Sequence, residues 1–411
     1  MTKLEQLIKD LCPNGVEYKT LGEIATYRRG SFPQPYGDVR WYGGEGAMPF
    51  VQVADVGDSL SLNLSTKQTI STLAQPKSVF VKKGTVVVTL QGTIGRVAIT
   101  QYDSYVDRTL AIFETYKIQN LNKKYFAYQL KAKFDEEKKH ARGTTLKTIT
   151  KEEFTHFTIP VPPIAVQNEI VRILDTFTEL TAELTAELTA RKQQYEYYRD
   201  SLLTFDDSVP IVKLGDIAIV TKLAGFEFTK YVNYSNEGNI IALRGLNVKN
   251  GTLDLTDVKY IDNSDLSKLN RSKLHIGDML FTYVGTIGQV ALVDVENKYY
   301  LAPNVALIRS TSKQLLPEYM KYYFQSNIFW NTQINRLLQS SSMKNIPMEK
   351  IRKFEIPLPP LKEQERIVFI LDRFDKLSND ISVGLPAEIK ARQQQYEYYR
   401  NKLLTFDEVK A

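Results

Sequence analysis

The 411-residue sequence is poor in the side chains that most often carry nucleophilic or metal chemistry, with one cysteine and three histidines. Cys12 alone excludes an internal disulfide and a cysteine-rich zinc site, and its apolar surroundings favour a packing role. No apolar run reaches the roughly 18 residues that a membrane helix requires. The N-terminal residues also lack the charged-then-apolar layout of a secretory signal. These absences predict a soluble, cytoplasmic protein.

Motifs for cofactor binding and catalysis are missing as well. There is no G-x-x-x-x-G-K-[ST] phosphate loop, and no G-x-G-x-x-G follows a predicted strand. The two Pro-Pro pairs follow Val161 and Leu358, where an amino-directed DNA methyltransferase would carry Asn or Asp. The Glu-x-Lys within residues 135–138 lies on a charged predicted helix, which favours a solvated surface over a nuclease centre. We therefore predict no catalytic residue, no metal site and no cofactor bound by this chain.

What the sequence does contain is a long internal duplication. Four segments recur in the same order: 21–25 as 214–218, 92–95 as 285–288, 159–163 as 356–360, and 193–199 as 394–400. A period of about 200 residues is far above that of solenoids, so it indicates two duplicated domains. Between these landmarks the halves differ, and residues 30–58 have no visible counterpart in 223–250. That divergence is typical of two readers of different ligands, although neutral drift would look similar.

Both halves predict the same order of secondary structure, with β-branched runs around Gly-Thr-Ile-Gly and then a helical, aromatic stretch. The predicted strands and helix are 81–90, 96–100 and 123–134 in the first half, and 276–283, 289–293 and 317–330 in the second. The glycine-rich segment favours a hairpin turn, with a phosphate loop as the alternative. Because strands and helices do not alternate regularly, the class is α+β.

A long helix is predicted to end each half. Residues 164–205 contain no glycine or proline, and their apolar residues recur at spacings of three and four. The same pattern starts again at Ile367, and a Pro-Pro pair precedes each run, as suits a helix start. Since a compact domain has its ends close together, the second helix should run back beside the first. The alternative is that each domain covers its own helix.

The fold prediction is therefore α+β, with two similar globular domains separated by two long antiparallel helices in a pseudo-two-fold arrangement. The first globular domain is predicted over 1–160, with an N-terminal helix over 3–11, and the first long helix over 161–206. The second globular domain is predicted over 207–357 and the second long helix over 358–411.

The first long helix carries a tetrapeptide repeat, Thr-Ala-Glu-Leu, at 181–184 and 185–188. Each unit adds roughly 6 Å of helix, nearly two base-pair rises of ~3.4 Å. The repeat could therefore set a distance between the domains, and a helix-forming filler is an equal alternative. Gly384 and Pro386 stand at the corresponding place in the second half, where they predict a kink or break.

The motifs point to one known family. They are Leu-Cys-Pro-Asn-Gly-Val-Glu-Tyr at 11–18, Gly84 with the Gly-Thr-Ile-Gly turn, the Pro-Pro pairs with Gln167 and Gln364, and the two Gln-Gln-Tyr-Glu-Tyr-Tyr-Arg runs. This set resembles the type I restriction-modification specificity subunits, in the family's order and over almost the whole chain. The first half departs slightly, with residues 166–169 in place of the commoner form at 362–365.

The resemblance implies that the globular domains are target-recognition domains, each reading one half of a split sequence in double-stranded DNA, with the helices as a ruler. It further implies two modification subunits that dock on the helices and methylate adenine with S-adenosylmethionine. Restriction subunits, with an ATP- and Mg-dependent motor and nuclease, would join them. The residues predicted to dock these subunits are Tyr195, Tyr198, Arg199, Tyr396, Tyr399 and Arg400.

Direct contacts with DNA are predicted where basic, aromatic and hydroxyl side chains occur in loops. A net charge of +6 suits a nucleic-acid partner, although many soluble proteins share it. Lysine and hydroxyl groups are usual phosphate contacts, and arginine often reads base edges. The predicted DNA-contacting residues are Arg28, Arg29, Arg40, Trp41, Thr144, Lys147, Lys222, Arg244, Ser342 and Lys344. The rival interpretation is a scaffold or adaptor that uses its helices for docking and has no DNA specificity.

Overall fold

A computed structural model describes residues 2–140, 154–223, 225–339, 345–379 and 384–409. The chain divides into two compact units: unit 1 comprises Met1–Leu184 and Ile389–Ala411, and unit 2 comprises Thr185–Glu388. The predicted segments follow the sequence repeat, whereas these units follow spatial contacts. Each unit therefore combines one predicted globular domain with a part of each predicted long helix.

Unit 1 contains two sheets and a separate strand pair. Its strands are β1 (Tyr18–Thr20), β2 (Ala25–Arg29), β3 (Met48–Val51), β4 (Leu60–Ser61), β5 (Gln68–Ile70), β6 (Val79–Val81), β7 (Val86–Thr89), β8 (Val97–Ile99), β9 (Ser104–Val106), β10 (Leu110–Tyr116) and β11 (Thr158–Pro160). One sheet has the order β2-β10-β7-β8-β4, the other has the order β5-β3-β9-β6, and β1 pairs with β11. The pairs β3–β9 and β4–β8 are parallel and the others are antiparallel.

Helices cover the sheets of unit 1. They are α1 (Lys3–Leu11), α2 (Leu21–Ile24), α3 (Lys123–His140) and the first part of α4 (Ile164–Leu202), with short 3-10 helices at Val39–Trp41, Val53–Asp55 and Gln75–Lys77. The predicted N-terminal helix over 3–11 is confirmed, and a capping box between Thr2 and Glu5 closes its first turn. Helix α3 buries Phe126, Leu130 and Phe134 in the main core of this unit.

Unit 2 repeats this plan. Its strands are β12 (Ile211–Lys213), β13 (Ala218–Lys222), β14 (Ile241–Leu243), β15 (Val248–Lys249), β16 (Thr252–Leu253), β17 (Lys259–Tyr260), β18 (Met279–Thr282), β19 (Val290–Leu292), β20 (Tyr299–Leu301), β21 (Val305–Ser310) and β22 (Glu355–Pro357). The sheet β13-β21-β18-β19 matches β2-β10-β7-β8, and the pair β12–β22 matches β1–β11. The α+β class and the two similar domains are confirmed.

The helices of the second half are short around the sheets and longer after them. They are α5 (Leu214–Ile217), α6 (Gly225–Tyr231), α7 (Pro317–Gln325), α8 (Asn327–Phe329), α9 (Asn335–Gln339), α10 (Met348–Arg352), α11 (Leu361–Asn379) and α12 (Gly384–Leu404). Short 3-10 helices lie at Gly245–Asn247, Leu266–Lys268 and Asn270–Ser272, and a π-helix lies at Trp330–Ile334.

The Gly-Thr-Ile-Gly segments are hairpin turns, as predicted, because each joins two antiparallel strands, β7 to β8 and β18 to β19. The second glycine of each turn, Gly95 or Gly288, has a positive φ of 77° or 84°. A Cβ at Gly95 would lie 2.6 Å from the ring of Phe134, and one at Gly288 would lie 2.4 Å from the ring of Trp330. Both the backbone conformation and the packed ring therefore require glycine.

The first long helix is confirmed as α4, which has 39 residues and a length of about 58 Å at 1.5 Å per residue. In the second half, α11 and α12 stand in place of one helix, and residues 380–383 between them lie outside the described part. Gly384 has a φ of +69°, which a right-handed helix does not allow. The predicted interruption at Gly384 is confirmed, and Pro386 falls in the first turn of α12, where proline is tolerated.

Helical segments from the two halves of the sequence pack together within each unit. In unit 1, the rings of Phe177 in α4 and Tyr399 in α12 stack at 5.6 Å, and Val166 and Leu404 belong to the same core. In unit 2, the rings of Tyr198 in α4 and Phe374 in α11 stack at 5.8 Å.

The helix end of each half also enters the core of the other half's domain. Leu404 is buried with Phe126 in unit 1, and Gln129 Nε2 donates a hydrogen bond to its carbonyl oxygen at 3.0 Å. Leu203 is buried with Phe324 in unit 2. The alternative in which each domain covers only its own helix is therefore wrong.

Candidate nucleic-acid interface

Three strand ends lie at one edge of the five-stranded sheet in unit 1, namely the ends of β2 and β7 and the start of β10. Arg29, the last residue of β2, pairs with Ala111, and Thr89, the last residue of β7, pairs with Leu110. The backbone N–H of Leu90 donates to the carbonyl oxygen of Thr109 at 2.8 Å, so the loop after β7 starts beside the loop before β10. The Gly-Thr-Ile-Gly turn and Arg29 consequently lie at the same edge.

Unit 2 has the same edge, formed by β13, β18 and β21. Lys222, the last residue of β13, pairs with Ala306, and Thr282 pairs with Val305. The registers make Lys222 the equivalent of Arg29, and both side chains are exposed. The ammonium of Lys222 lies 5.6 Å from the ring centroid of Tyr283, while Arg29 forms no ion pair with any described residue. Two of the predicted DNA-contacting cations thus occupy matching places.

A cleft of about 720 Å³ opens at this edge in unit 2. The Gly-Thr-Ile-Gly turn, the 3-10 helix after β14 and the loop before β21 form its walls. The lining mixes aliphatic residues with polar and aromatic ones, and the polar and aromatic residues include Phe228, Tyr234, Arg244, Lys249, Asn250, Gln289 and Asn304. Such a mixture offers hydrogen-bond donors and acceptors beside flat apolar surfaces, as recognition of base edges requires.

Arg244 is held at the cleft by its neighbours in sequence. It precedes the 3-10 helix Gly245–Asn247, and its backbone N–H donates to Oδ1 of the fully buried Asn247 at 3.0 Å. Its Nη2 donates to the carbonyl and carboxylate oxygens of Asp257, both at 2.8 Å. Its Nε is buried and has no hydrogen-bond partner within the described part of the chain. The guanidinium is thus oriented and keeps donors for a ligand.

Gln289 follows the turn directly and lines the same cleft. Its backbone N–H donates to Thr282 Oγ1 at 2.9 Å, and its side-chain Oε1 accepts the backbone N–H of Asn250 at 3.1 Å. Gln289 was not among the predicted DNA-contacting residues, because a hairpin turn was the favoured role of the segment before it. The sequence did contain a signal for Gln289. In both halves the Gly-Thr-Ile-Gly turn follows a predicted strand, so the residue after the turn is expected near the strand ends.

Two further arginines predicted to contact DNA are engaged in ion pairs on the surface. Arg28 forms a two-pronged pair with Glu114 of β10, with Nε–Oε2 and Nη2–Oε1 distances of 2.8 Å. This hydrogen bonding raises the pKa of the Arg28 guanidinium. Arg40 is paired with Asp38, with 2.6 Å between Nη2 and Oδ2. Each pairing occupies part of the guanidinium, whereas Arg29 forms no ion pair with any described residue.

Trp41 was predicted to contact DNA, but its side chain is only 7% exposed. It packs in a small aromatic core with Phe32 and Phe50, and the Lys77 ammonium lies 5.1 Å from its ring centroid. Burial arises because the loop after β2 folds over the β5-β3-β9-β6 sheet and forms a core of its own. The ring is therefore part of the packing in this structure.

The remaining predicted DNA contacts, Thr144, Lys147, Ser342 and Lys344, lie outside the described residues. The chain resumes at Asn345, which forms a β-bridge with Val284, and the backbone N–H of Ile346 donates to the Tyr283 carbonyl at 2.9 Å. The described chain therefore resumes beside the sheet edge that carries Lys222.

The predicted docking residues divide into buried and exposed sets. Tyr195 and Arg199 are 6% and 8% exposed, and Arg400 is 9% exposed. Arg400 Nη1 lies 3.2 Å from Asp135 Oδ2, and burial raises the pKa of the Tyr195 phenol. Tyr396 is half-buried. These side chains hold helix ends to a domain of the same chain, and a docking role for them stays a prediction.

Each of the two stacked ring pairs contains one exposed tyrosine and has a second exposed tyrosine next to it in sequence. Tyr198 and Tyr399 each place one ring face against a phenylalanine and remain 42% and 37% exposed. Their neighbours Tyr197 and Tyr398, which were not among the predicted docking residues, are 70% and 63% exposed. Both halves repeat the same Tyr-Glu-Tyr-Tyr sequence, in which the helical period puts the first and last tyrosines near one face and the middle tyrosine on another. The period therefore predicts the high exposure of Tyr197 and Tyr398.

Other chemistry in the described residues is limited. No group of three His, Cys, Asp or Glu side chains is arranged to hold a metal ion in the part of the chain that the structure describes. Glu136 and Glu137 pair with Lys133 at 2.9 and 3.3 Å, on the surface of α3. Across the described ranges, no helix is both long enough and apolar enough to cross a membrane.

Known proteins share this architecture. Two chains from solved structures cover 95% of this chain: the S subunit of a type I restriction-modification system from M. genitalium, with a TM-score of 0.50 and 14% identity, and a chain from work on complex assembly and conformational transition of the type I R-M system, with a TM-score of 0.64 and 15% identity. They cover 96% and 98% of those chains. At these identities the likeness supports the fold alone.

Proteins similar to this chain in sequence include several that are named type I restriction enzyme specificity subunits. The putative type I restriction enzyme specificity subunit S.HindORF215P of Haemophilus influenzae is 35% identical over 274 residues, which span 64% of this chain and 68% of the relative. The EcoR124I/EcoR124II specificity subunit of Escherichia coli is 35% identical over 260 residues, 60% of this chain and 61% of that protein. The EcoprrI specificity subunit of E. coli is 25% identical over 401 residues, 93% of both chains.

A family model supplies the decisive match. The type I restriction modification DNA specificity domain matches twice, over residues 13–191 and 207–391. These two matches cover most of the chain and coincide with the two halves of the duplication. The chain therefore belongs to the family of type I restriction-modification DNA specificity subunits.

Proposed function

We propose that this chain reads a bipartite DNA site, one half-site with each unit. The observation that carries the proposal is the equivalence of Arg29 and Lys222, two exposed cations at the same register of the same sheet edge. A cation common to both units can supply a phosphate contact that does not depend on sequence. Side chains that differ around it, such as those of the Arg244 cleft, can supply the base preference.

The chain performs no catalysis of its own in this proposal. Modification subunits methylate adenine with S-adenosylmethionine and dock on the helices around Tyr197, Tyr198, Tyr398 and Tyr399. Exposed aromatic side chains favour such a role because tyrosine is enriched at protein interfaces. Restriction subunits with an ATP- and Mg-dependent motor and nuclease complete the enzyme.

The test is co-expression of the chain with its modification subunits in a methylation-free host, followed by sequencing of methylated adenines. We expect one split motif, with two defined half-sites and a fixed gap, that disappears when this chain is omitted. Methylation that does not depend on the chain, or a motif without a gap, would contradict the proposal. Gel shifts of the purified complex on random and genomic DNA separate it from the scaffold interpretation, which predicts no DNA affinity contributed by this chain.

A further inference from the structure

The backbone places one residue of each unit at an equivalent point beside the sheet edge. Strands β3 and β14 pair in parallel with β9 and β20, and each is followed by a short 3-10 helix. The backbone N–H of Gln52 donates to Asp55 Oδ2 at 2.8 Å, as that of Arg244 donates to Asn247 Oδ1 at 3.0 Å. Gln52 is therefore the structural counterpart of Arg244.

A second pair of equivalent positions follows the Gly-Thr-Ile-Gly turns. The backbone N–H of Arg96 donates to Thr89 Oγ1 at 2.9 Å, and that of Gln289 donates to Thr282 Oγ1 at the same distance. The side chains of Arg96 and Gln289 also reach matching places. The 3-10 helices after β3 and β14 are followed by the buried Val56 and Val248, and Arg96 and Gln289 contact the residue two positions after each valine. Arg96 Nε lies 3.3 Å from Asp58 Oδ1, and Gln289 Oε1 lies 3.1 Å from the Asn250 backbone nitrogen.

The two positions carry the same two residue types in exchanged order. Unit 1 has glutamine after β3 and arginine after the turn, whereas unit 2 has arginine after β14 and glutamine after the turn. Arginine pairs with the O6 and N7 edge of guanine, and glutamine with the N6 and N7 edge of adenine. An exchange of these two types at a shared site is a change of hydrogen-bonding pattern on a constant backbone.

The surroundings leave these side chains available for a ligand. Arg96 is 32% exposed and Arg244 is 22% exposed. Each pairs with an acidic residue, Arg96 with Asp58 at 3.3 Å and Arg244 with Asp257 at 2.8 Å. Each guanidinium has five N–H donors, so donors remain after these contacts. Gln289 lines the open cleft together with Arg244. Arg29 and Lys222 lie at the same edges, where they would hold a phosphate next to the bases being read.

We propose that Gln52 and Arg96 in unit 1, and Arg244 and Gln289 in unit 2, read base edges in their half-sites. This inference rests on the proposed function and adds the residues that set the specificity. In unit 2, Arg244 contacts a guanine and Gln289 contacts an adenine. In unit 1 the same two roles belong to Arg96 and Gln52.

The experiment uses the full chain in complex with its modification subunits and reads the methylated motif by sequencing. Three variants are compared with wild type: Arg244→Gln, Gln289→Arg and Gln52→Arg. Arg271→Gln replaces an exposed arginine of unit 2 outside the cleft and serves as the matched control. Binding of each complex to a library of half-site variants measures the preference at every base pair.

We expect Arg244→Gln to change the preference at one base pair from guanine toward adenine by about tenfold or more. Gln289→Arg should change a different base pair of the same half-site, and Gln52→Arg only the other half-site. The gap and the remaining base pairs stay as in wild type, and Arg271→Gln changes nothing. Because Arg244 also bonds to Asp257, the Arg244→Gln variant could fail to assemble. Gln289→Arg and Gln52→Arg leave those bonds in place, so these two variants then test the inference.

The outcomes separate the inference from the proposed function. A wild-type complex that produces no split motif would contradict both. A wild-type split motif that all three variants leave unchanged would contradict the inference alone. Weaker binding to every library member, with no change in base preference, would also overturn it, because that result identifies phosphate contacts instead.

Discussion

Leu404→Ala tests the reciprocal packing of the helix ends. Leu404 comes from the second half of the sequence, yet it is 5% exposed within the core of unit 1. Its twin Leu203 comes from the first half and is 1% exposed within the core of unit 2. Truncating a buried leucine to alanine typically costs 2–5 kcal/mol, so we take roughly 3 kcal/mol for each variant. For units of this size, that corresponds to a fall of roughly 6–12 °C in melting temperature.

Hydrogen exchange followed by mass spectrometry locates each loss. A loss of roughly 3 kcal/mol raises amide exchange by about 100-fold wherever exchange proceeds through opening of the unit. Leu404→Ala should do this in α3 of unit 1, and Leu203→Ala should do it in α7 of unit 2. Leu377→Ala, at a side chain that is 59% exposed, is the control and should change exchange little. Faster exchange in α7 and unchanged exchange in α3 for Leu404→Ala would refute the reciprocal arrangement.

Three further outcomes can be measured. Arg29→Ala or Lys222→Ala should weaken binding to all DNA sequences alike, and in a salt titration should lower the slope of log affinity against log salt by about 1. An altered base preference instead would contradict the phosphate role. Deleting residues 181–184 shortens α4 by roughly 6 Å, so the gap of the methylated motif should change by about one or two base pairs while both half-sites persist. An unchanged gap would contradict the ruler interpretation. The Arg172 hydrogen bond lowers the pKa of Glu169 from 4.5 to about 2, so its contribution to stability is full above pH 4.5 and is lost as the pH falls toward 2. The urea unfolding midpoints of Glu169→Gln and wild type should therefore converge as the pH falls. A difference that stays the same at every pH would contradict the stabilising role of the ionised Glu169 carboxylate.

The parts of the fold that could be predicted are those that local chemistry requires. Gly95 and Gly288 mark hairpin turns because a positive φ and a packed ring leave no room for a side chain. Gly384 marks the end of a helix for the same backbone reason. The uninterrupted α4 follows from a long run without glycine or proline, since nothing in it opposes the helical backbone.

The parts that could not be predicted depend on contacts distant in sequence. Residues 30–58 and 223–250 look unrelated, yet both form a strand and a 3-10 helix held by a buried Asp55 or Asn247. Different side chains can satisfy the same backbone N–H, so the common structure leaves no common sequence. Trp41 looked available for DNA because a sequence does not reveal that its loop folds into a separate core.

The packing of Leu404 also has a consequence for the order of folding during synthesis. The domain translated first shares its core with α12, and the backbone N–H groups of Val16 and Val409 bond to the carbonyls of Asp407 and Val16 at 2.8 and 3.2 Å. Domains usually finish folding in the order in which they leave the ribosome. Here the N-terminal domain keeps an open, partly apolar face until α12 has been translated. Unit 2, which needs nothing beyond Glu388, can be completed before unit 1.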